Sequence, residues 1–124
     1  MHPAVRLPLV WINRLLVAAG LAFFGGAIFH GLALIWPGIS EPMPPLMHAT
    51  FVAINLFFGL AFVRKVTWLH WPFLALTLQQ LWSHGGDLIR AREAHPPSWD
   101  VQSLFALGGL GLIWLLLWAR SRAR

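Results

Sequence analysis

Polar side chains recur at helical spacing within otherwise apolar stretches of this sequence. The longest series has intervals of seven, three, four and three residues, and it consists of His70, Thr77, Gln80, His84 and Asp87. These intervals place the series on one face of a helix with 3.6 residues per turn. His48 and Asn55, seven residues apart, share a face of a second predicted helix, and His30 belongs to a third.

These residue types favour ligand or metal chemistry. Imidazole ligates haem iron and other metals, and it titrates near neutral pH. Asp87 follows His84 by three residues, so its carboxylate could orient the imidazole of an acid–base catalyst. Met43 and Met47 lie close to His48 in the sequence and add thioether sulfurs, which suit Cu(I). The sequence contains no cysteine, which excludes thiolate ligands and thiol nucleophiles.

The composition indicates a membrane protein. Of the 124 residues, 58% are hydrophobic and only 10% are charged, whereas soluble domains carry about 25% charge. Four apolar segments cover residues 9–36, 45–63, 68–89 and 99–118. Each is close to the roughly 20 residues that a helix needs to cross a bilayer. We therefore expect an all-α integral membrane protein, with residues 1–124 forming one domain of four transmembrane helices in an up-down-up-down bundle.

The distribution of basic residues predicts the orientation. Seven lie at the termini or between the second and third segments: Arg6, Arg14, Arg64, Lys65, Arg120, Arg122 and Arg124. Only Arg90 and Arg92 lie on the other side. The positive-inside rule then places both termini in the cytoplasm, and we expect a bacterial inner membrane. Most tryptophans fall near the predicted membrane surfaces, as in an aromatic belt. The net charge of +5 is spread between apolar segments, so no nucleic-acid partner is expected.

Two stretches of the sequence resemble each other. Residues 30–35 (HGLALI) share His, Gly, Leu and Ile in register with residues 84–89 (HGGDLI), and a Pro-Pro pair follows each stretch. The pattern suggests two tandem helical hairpins, although chance matches are easy in so biased a composition.

Small residues are predicted to permit close packing of the first two helices, and they are Gly20 and Ala27 on the first helix and Gly59 on the second. Ser98 is predicted to cap the N-terminus of the fourth helix.

The predicted topology brings the polar residues toward one membrane surface. His30, His48, His84 and Asp87 fall in the outer half of the membrane, and Asn55 and Gln80 lie deeper. Ionisable groups within membrane helices mark functional sites by default. These six residues therefore form the predicted ligand-binding site. The structural alternative is that they only hydrogen-bond across helices and determine the packing.

The function we favour is a non-catalytic ligand-binding or accessory subunit of a membrane complex or homo-oligomer. One alternative is a subunit that holds haem b or copper, for which the candidate ligands are His30, His48, His84, Met43 and Met47. A second alternative is an acid–base enzyme of isomerase type acting on a lipophilic substrate, with His84 and Asp87 as catalytic residues. Transport along the polar groups is a weaker alternative, because the inner half offers few of them.

Overall fold

The computed structural model describes residues 9–40 and 43–122 of the chain. Within this part it contains four α-helices, one short 3-10 helix and no strand, which confirms the all-helical prediction. The helices are α1 (Leu9–Ile35), α2 (Pro45–Val63), α3 (His70–Glu93) and α4 (Val101–Arg122), and the 3-10 helix is Pro37–Ile39.

Three of these helices are long and apolar enough to cross a membrane. They are α1, α2 and α4, with 27, 19 and 22 residues. At 1.5 Å per residue they extend over roughly 28–40 Å, against about 30 Å of hydrocarbon. Much of the large hydrophobic surface of the chain is exposed, including Ile35, Leu46 and Phe105. Such extensive exposure is unfavourable in water and is expected for side chains that face lipid.

The chain divides into two compact units, with the boundary between Val66 and Thr67. In the first, α1 packs against α2, and in the second, α3 packs against α4. Each unit is an antiparallel helical hairpin, since contacts late in one helix pair with contacts early in the next. The two similar sequence stretches lie one in each hairpin. Their origin by duplication stays a hypothesis.

Close backbone approach holds the first hairpin together. A Cβ atom built on Gly20 would lie 2.9 Å from the carbonyl oxygen of Gly59, and one built on Gly59 would lie 3.1 Å from that of Gly20. No larger residue fits at Gly20 without moving a helix, and at Gly59 the ring of Phe24, 2.9 Å from the built Cβ, would have to move. Ala27 is also buried. The predicted role of small residues in packing α1 against α2 is therefore confirmed for Gly20 and Gly59.

Helix α2 is followed by a residue with a left-handed backbone conformation. Lys65 has φ 57°, and its N–H bonds the carbonyl of Phe62 at 3.0 Å. The next N–H, of Val66, bonds the carbonyl of Ala61 at 3.0 Å. This pair of bonds is a Schellman motif, which satisfies carbonyls in the last turn of the helix.

The start of α4 differs from the prediction. Asp100 caps the helix, because its Oδ1 accepts a hydrogen bond from the backbone N–H of Ser103 at 3.2 Å. Ser98 instead bonds the end of α3, with its N–H 2.9 Å and its Oγ 3.3 Å from the carbonyl oxygen of Ala91. The predicted Ser98 cap is therefore wrong. A carboxylate at the cap also complements the helix dipole.

Candidate functional site

The first hairpin contains a pair of histidines in direct contact. Nδ1 of His30, on α1, lies 3.0 Å from Nδ1 of His48, near the start of α2. His48 is buried, and its Nε2 is 3.4 Å from the hydroxyl of Ser40. The His30 ring stacks on Phe51 with centroids 4.9 Å apart. Hydrogen bonding and stacking together hold the His30 ring in one orientation.

The geometry of this pair restricts its protonation. A bond between two Nδ1 atoms needs one N–H donor and one lone pair, so the two imidazoles share a single proton at this contact. Protonation of both rings would place two N–H groups against each other and break the bond. Nε2 of His30 makes no hydrogen bond with any described residue, so it is available to a ligand.

Asn55 serves the packing of the first hairpin. Its Nδ2 donates to the carbonyl of Phe51 at 2.8 Å, one turn earlier in α2. A Cβ atom built on Gly26 would lie 2.5 Å from its Oδ1, so the amide rests directly on α1.

Of the two predicted thioether ligands, Met43 is half-buried and Met47 is 48% exposed.

The second hairpin contains a hydrogen-bonded chain of three side chains. Nδ1 of His84, on α3, lies 2.9 Å from Oγ of Ser103, on α4. The Ser103 hydroxyl donates to Oδ2 of Asp100 at 2.6 Å. Ser103 is fully buried, so water does not compete for either bond. The hydroxyl therefore links the imidazole to a carboxylate that the polar series on α3 does not include.

This chain determines the tautomer of His84. Hydrogen bonds from the hydroxyl and then the backbone N–H of Ser103 lower the pKa of Asp100, which is therefore ionised and can only accept. The Ser103 proton points to Asp100, so Ser103 must accept from His84. In the neutral imidazole of His84, Nδ1 then carries the proton, and Nε2 presents a lone pair. Ligand histidines commonly have one nitrogen bonded to the protein in this way.

Asp87, the predicted partner of His84, is engaged elsewhere. Its Oδ1 accepts a hydrogen bond from Arg90 at 2.5 Å, and its Oδ2 lies 3.9 Å from Nδ1 of His84. The latter distance is a charge contact and is too long for a hydrogen bond. For acid–base chemistry, the carboxylate connected to His84 is thus Asp100. The sequence places Asp100 at the start of the fourth helix, where a carboxylate complements the helix dipole, but its link to His84 through Ser103 was missed. No spacing within one helix indicates that link, because it depends on how α4 packs against α3.

The other members of the polar series on α3 have separate partners. Thr77 accepts a hydrogen bond from the indole of Trp114, on α4, at 2.9 Å. Gln80 donates to Oε1 of its neighbour Gln79 at 2.6 Å. His70 lies near Trp114, with ring centroids 6.3 Å apart. Thr77 and His84 therefore connect the two helices of the hairpin, and Gln80 does not.

Of the predicted site residues, the structure joins His30 and His48 by a hydrogen bond. The hydrogen-bond partners of the other four lie outside the predicted set, and these four are Asn55, Gln80, His84 and Asp87. Convergence of His30, His48, His84 and Asp87 on one site stays a prediction. Over residues 9–40 and 43–122, no three His, Cys, Asp or Glu side chains are grouped so as to hold a metal ion. No family model, curated protein or solved structure matches the chain, so only its own residues bear on its function.

Proposed function

We propose that the protein is a four-span membrane subunit that binds a ligand through histidine without transforming it. The observation that carries this proposal is the His84–Ser103–Asp100 chain. It holds an imidazole at a fixed angle and tautomer, with the Nε2 lone pair uncommitted among the described residues. The His84–Ser103 bond also joins α3 to α4, and the carboxylate behind the hydroxyl adds the fixed tautomer that is common in ligand histidines.

The fourth span of this proposal is α3. It contacts α4 at two levels, through Thr77–Trp114 and His84–Ser103, so it lies alongside the apolar middle of a helix that can cross the membrane. Two members of its polar series, Thr77 and His84, face α4, as expected for polar groups at membrane depth. The arrangement proposed is up-down-up-down with both termini in the cytoplasm, as the basic residues favour. The membrane proposed is a bacterial inner membrane.

Three tryptophans support the proposed membrane boundaries. Arg14 lies over Trp11 at the start of α1, and Arg122 lies over Trp118 at the end of α4, with 4.9 and 5.2 Å between guanidinium carbon and ring centroid. Arg92 lies over Trp99 at 4.6 Å, between α3 and α4. Pairs of an aromatic ring and a guanidinium suit the headgroup layer, where the ring meets lipid and the charge meets water.

The chemistry of Nε2 defines the ligand class. A lone pair in a low-dielectric setting accepts a hydrogen bond from an O–H or N–H group, or it coordinates a metal. The ligand proposed is therefore a lipophilic molecule with a hydroxyl or amine, or a metal-containing cofactor. As an accessory subunit, the protein would hold it within a larger membrane assembly.

Extraction of the purified protein tests this proposal. Protein isolated in mild detergent is extracted with organic solvent, and the extract is compared by mass spectrometry with that of His84→Ala. His95→Ala is the matched control, because His95 lies exposed in the α3–α4 connection. We expect a species that co-purifies with wild type and the control and is lost from a folded His84→Ala. Identical extracts from all three proteins would contradict the proposal.

Haem b is a specific second candidate. In each hairpin a histidine commits Nδ1 to the protein and leaves Nε2 available, as a haem ligand does. The glycines that follow them, Gly31 and Gly85, have no atom within 4 Å of a built Cβ, which leaves space beside each histidine. Haem ligation by His30 or His84 predicts a Soret band that the alanine variant loses. Elemental analysis of the same sample tests copper.

A further inference from the structure

The histidine pair of the first hairpin places two imidazole nitrogens close enough to share one ion. Nδ1 of His30 and Nδ1 of His48 are 3.0 Å apart and come from different helices. Two nitrogens that bind one metal ion at about 2.0–2.1 Å, with a tetrahedral angle between the bonds, lie about 3.3 Å apart. A movement of about 0.3 Å between the rings therefore converts the hydrogen-bonded contact into a pair of metal ligands.

The surroundings of the pair hold both rings in place for metal binding. His48 is only 4% exposed, and the Nε2 atom on the other side of its ring is 3.4 Å from the Ser40 hydroxyl. The His30 ring stacks on Phe51. When both Nδ1 atoms bind an ion, the protons are on the Nε2 atoms, and the Ser40 oxygen can accept the one from His48. Ligand histidines in metal sites commonly donate their second N–H in this way.

The charge and number of the available ligands favour a monovalent ion. Both helices are apolar enough to cross a membrane, and residues 9–40 and 43–66 contain no Asp, Glu or Cys to balance a positive charge. The cost of removing an ion from water rises with the square of its charge, so it is about four times larger for a divalent ion. Zinc sites also have four ligands as a rule, and among the described residues no third His, Cys, Asp or Glu joins the pair.

A methionine beside His48 can supply a soft third ligand. Pro44 is the N-cap of α2, so Met43 precedes the cap and His48 is the fourth residue of the helix. Side chains at these two positions commonly pack against each other, and Met43 is half-buried. Thioether sulfur selects Cu(I), and imidazole nitrogen also binds copper, whereas the hard ions Mg²⁺ and Ca²⁺ prefer oxygen.

We propose that His30 and His48 form a binding site for Cu(I), with Met43 as a third, thioether ligand. The site needs only the first hairpin, so it does not depend on the ligand proposed for His84. It also excludes haem ligation by His30, because Nε2 carries the proton when Nδ1 binds an ion.

Binding of Cu(I) to full-length protein in detergent tests the proposal. Affinity is measured without oxygen, in competition with a coloured Cu(I) chelator, and bound copper is counted by elemental analysis. We expect one Cu(I) per wild-type chain and none in His30→Ala or His48→Ala. His84→Ala and His95→Ala are the controls and should bind as wild type does, because neither residue belongs to the pair. A wild type that binds no Cu(I), or a His30→Ala that binds as tightly as wild type, would overturn the proposal.

Two milder variants keep both histidines, so they test the site even where an alanine variant does not fold. Ser40→Ala should weaken Cu(I) binding about tenfold through loss of the hydroxyl beside His48, and Ser98→Ala, which removes an exposed hydroxyl, should not. Met43→Leu should also weaken binding, whereas Met47→Leu should not. X-ray absorption at the copper edge should show sulfur in wild type and none in Met43→Leu. Unchanged binding by both Ser40→Ala and Met43→Leu would overturn the proposed site.

Two further outcomes separate this site from the ligand proposed for His84. Copper binding without any extracted species that His84→Ala loses would overturn the proposed function and leave the copper site. Such a species without copper binding would overturn the copper site alone. Zn(II) bound by wild type as tightly as Cu(I) would overturn the choice of a monovalent ion.

Discussion

At the scale of single residues, one buried hydroxyl determines what His84 can do. Ser103 accepts from the imidazole and donates to Asp100, so the direction of both bonds follows from the charge on the carboxylate. An imidazole free to exchange tautomers would present its lone pair on either nitrogen. The hydrogen-bonded chain of His84, Ser103 and Asp100 instead holds the proton on Nδ1 and leaves Nε2 for a ligand.

Replacement of Ser103 by alanine should release this constraint. The imidazole N–H would lose its buried partner, and the free energy of unfolding should fall by about 0.5–1.5 kcal/mol, the net contribution of one hydrogen bond. Nitrogen-15 NMR of labelled histidine should show one tautomer of His84 in wild type and a mixture in Ser103→Ala. Ser98→Ala is the control, because it removes an exposed hydroxyl from the same connection between α3 and α4. An unchanged tautomer in Ser103→Ala would contradict the assigned hydrogen-bond direction.

Asp100 gives the site a pH dependence of known sign. Its pKa in the folded protein is lower than its usual value because Ser103 donates to it. A carboxyl of this kind stabilises the fold above its unfolded pKa of about 3.9, and the contribution disappears as pH falls through the folded pKa. Thermal unfolding between pH 6 and 3 should therefore show a smaller loss of stability for Asp100→Asn than for wild type. Equal losses would show that Asp100 is not the group responsible.

The histidines could be located from sequence, but their hydrogen-bond partners could not. Helical spacing identifies residues that share a face, which is how His30, His48 and His84 were selected. Partner choice depends on the register between two helices, and no spacing rule supplies that register. His84 therefore seemed paired with Asp87 on its own helix, while its closer partner, Ser103, comes from the next.

At the scale of helices, the two hairpins are held together by different means. In the first, Gly20 and Gly59 let two backbones approach, and Phe23 packs on Phe58 and Phe62. In the second, polar contacts at two levels connect α3 to α4. Close glycine packing and hydrogen bonding are the two means that membrane helices have for association, since lipid removes the hydrophobic contribution.

Helices as such were predictable, because long apolar segments in lipid must satisfy their backbone groups internally. Their ends were less so. The fourth helix begins at Val101, next to Asp100, although Ser98 offers an equally good capping side chain. The choice depends on tertiary bonds, since Ser98 is drawn to the carbonyl of Ala91 at the end of α3.

Substitution of Gly20 by alanine should separate the helices of the first hairpin. The new methyl group would lie 2.9 Å from the Gly59 carbonyl oxygen and could be accommodated only by movement of a backbone. We expect a loss of about 1–3 kcal/mol in the free energy of unfolding, measured by denaturant titration in detergent micelles.

Gly25→Ala is the matched control for this substitution. It lies on the same helix with nothing within 4 Å of its built Cβ, so only the helix propensity changes there, by about 0.5–1 kcal/mol in favour of alanine. Equal stability of the two variants would show that the contact between Gly20 and Gly59 is not what holds α1 and α2 together.

At the scale of the whole molecule, the number of spans decides on which side the C-terminus lies. By length and composition α1, α2 and α4 can cross a membrane, and α3 falls short because of its polar series. These polar residues lower the mean hydropathy of α3, but they do not exclude a transmembrane position. Polar groups at membrane depth are tolerated where they face another helix. In this hairpin Thr77 and His84 do face one.

Single-cysteine labelling in intact cells distinguishes four spans from three. With the N-terminus in the cytoplasm, four spans place Ser98→Cys outside and Ser121→Cys inside. If α3 does not cross, α4 starts in the cytoplasm, and the two positions exchange sides. Lys65→Cys lies inside in both arrangements and reports the orientation of the first hairpin.

We expect an impermeant maleimide to label Ser98→Cys in intact cells and to reach Lys65→Cys and Ser121→Cys only after permeabilisation. Labelling of Ser121→Cys but not Ser98→Cys would leave three spans. The consequence extends to the site, because the hairpin of α3 and α4 would then hold His84 in or near the cytoplasm, where water competes for Nε2. A lipophilic ligand inside the membrane requires the four-span result.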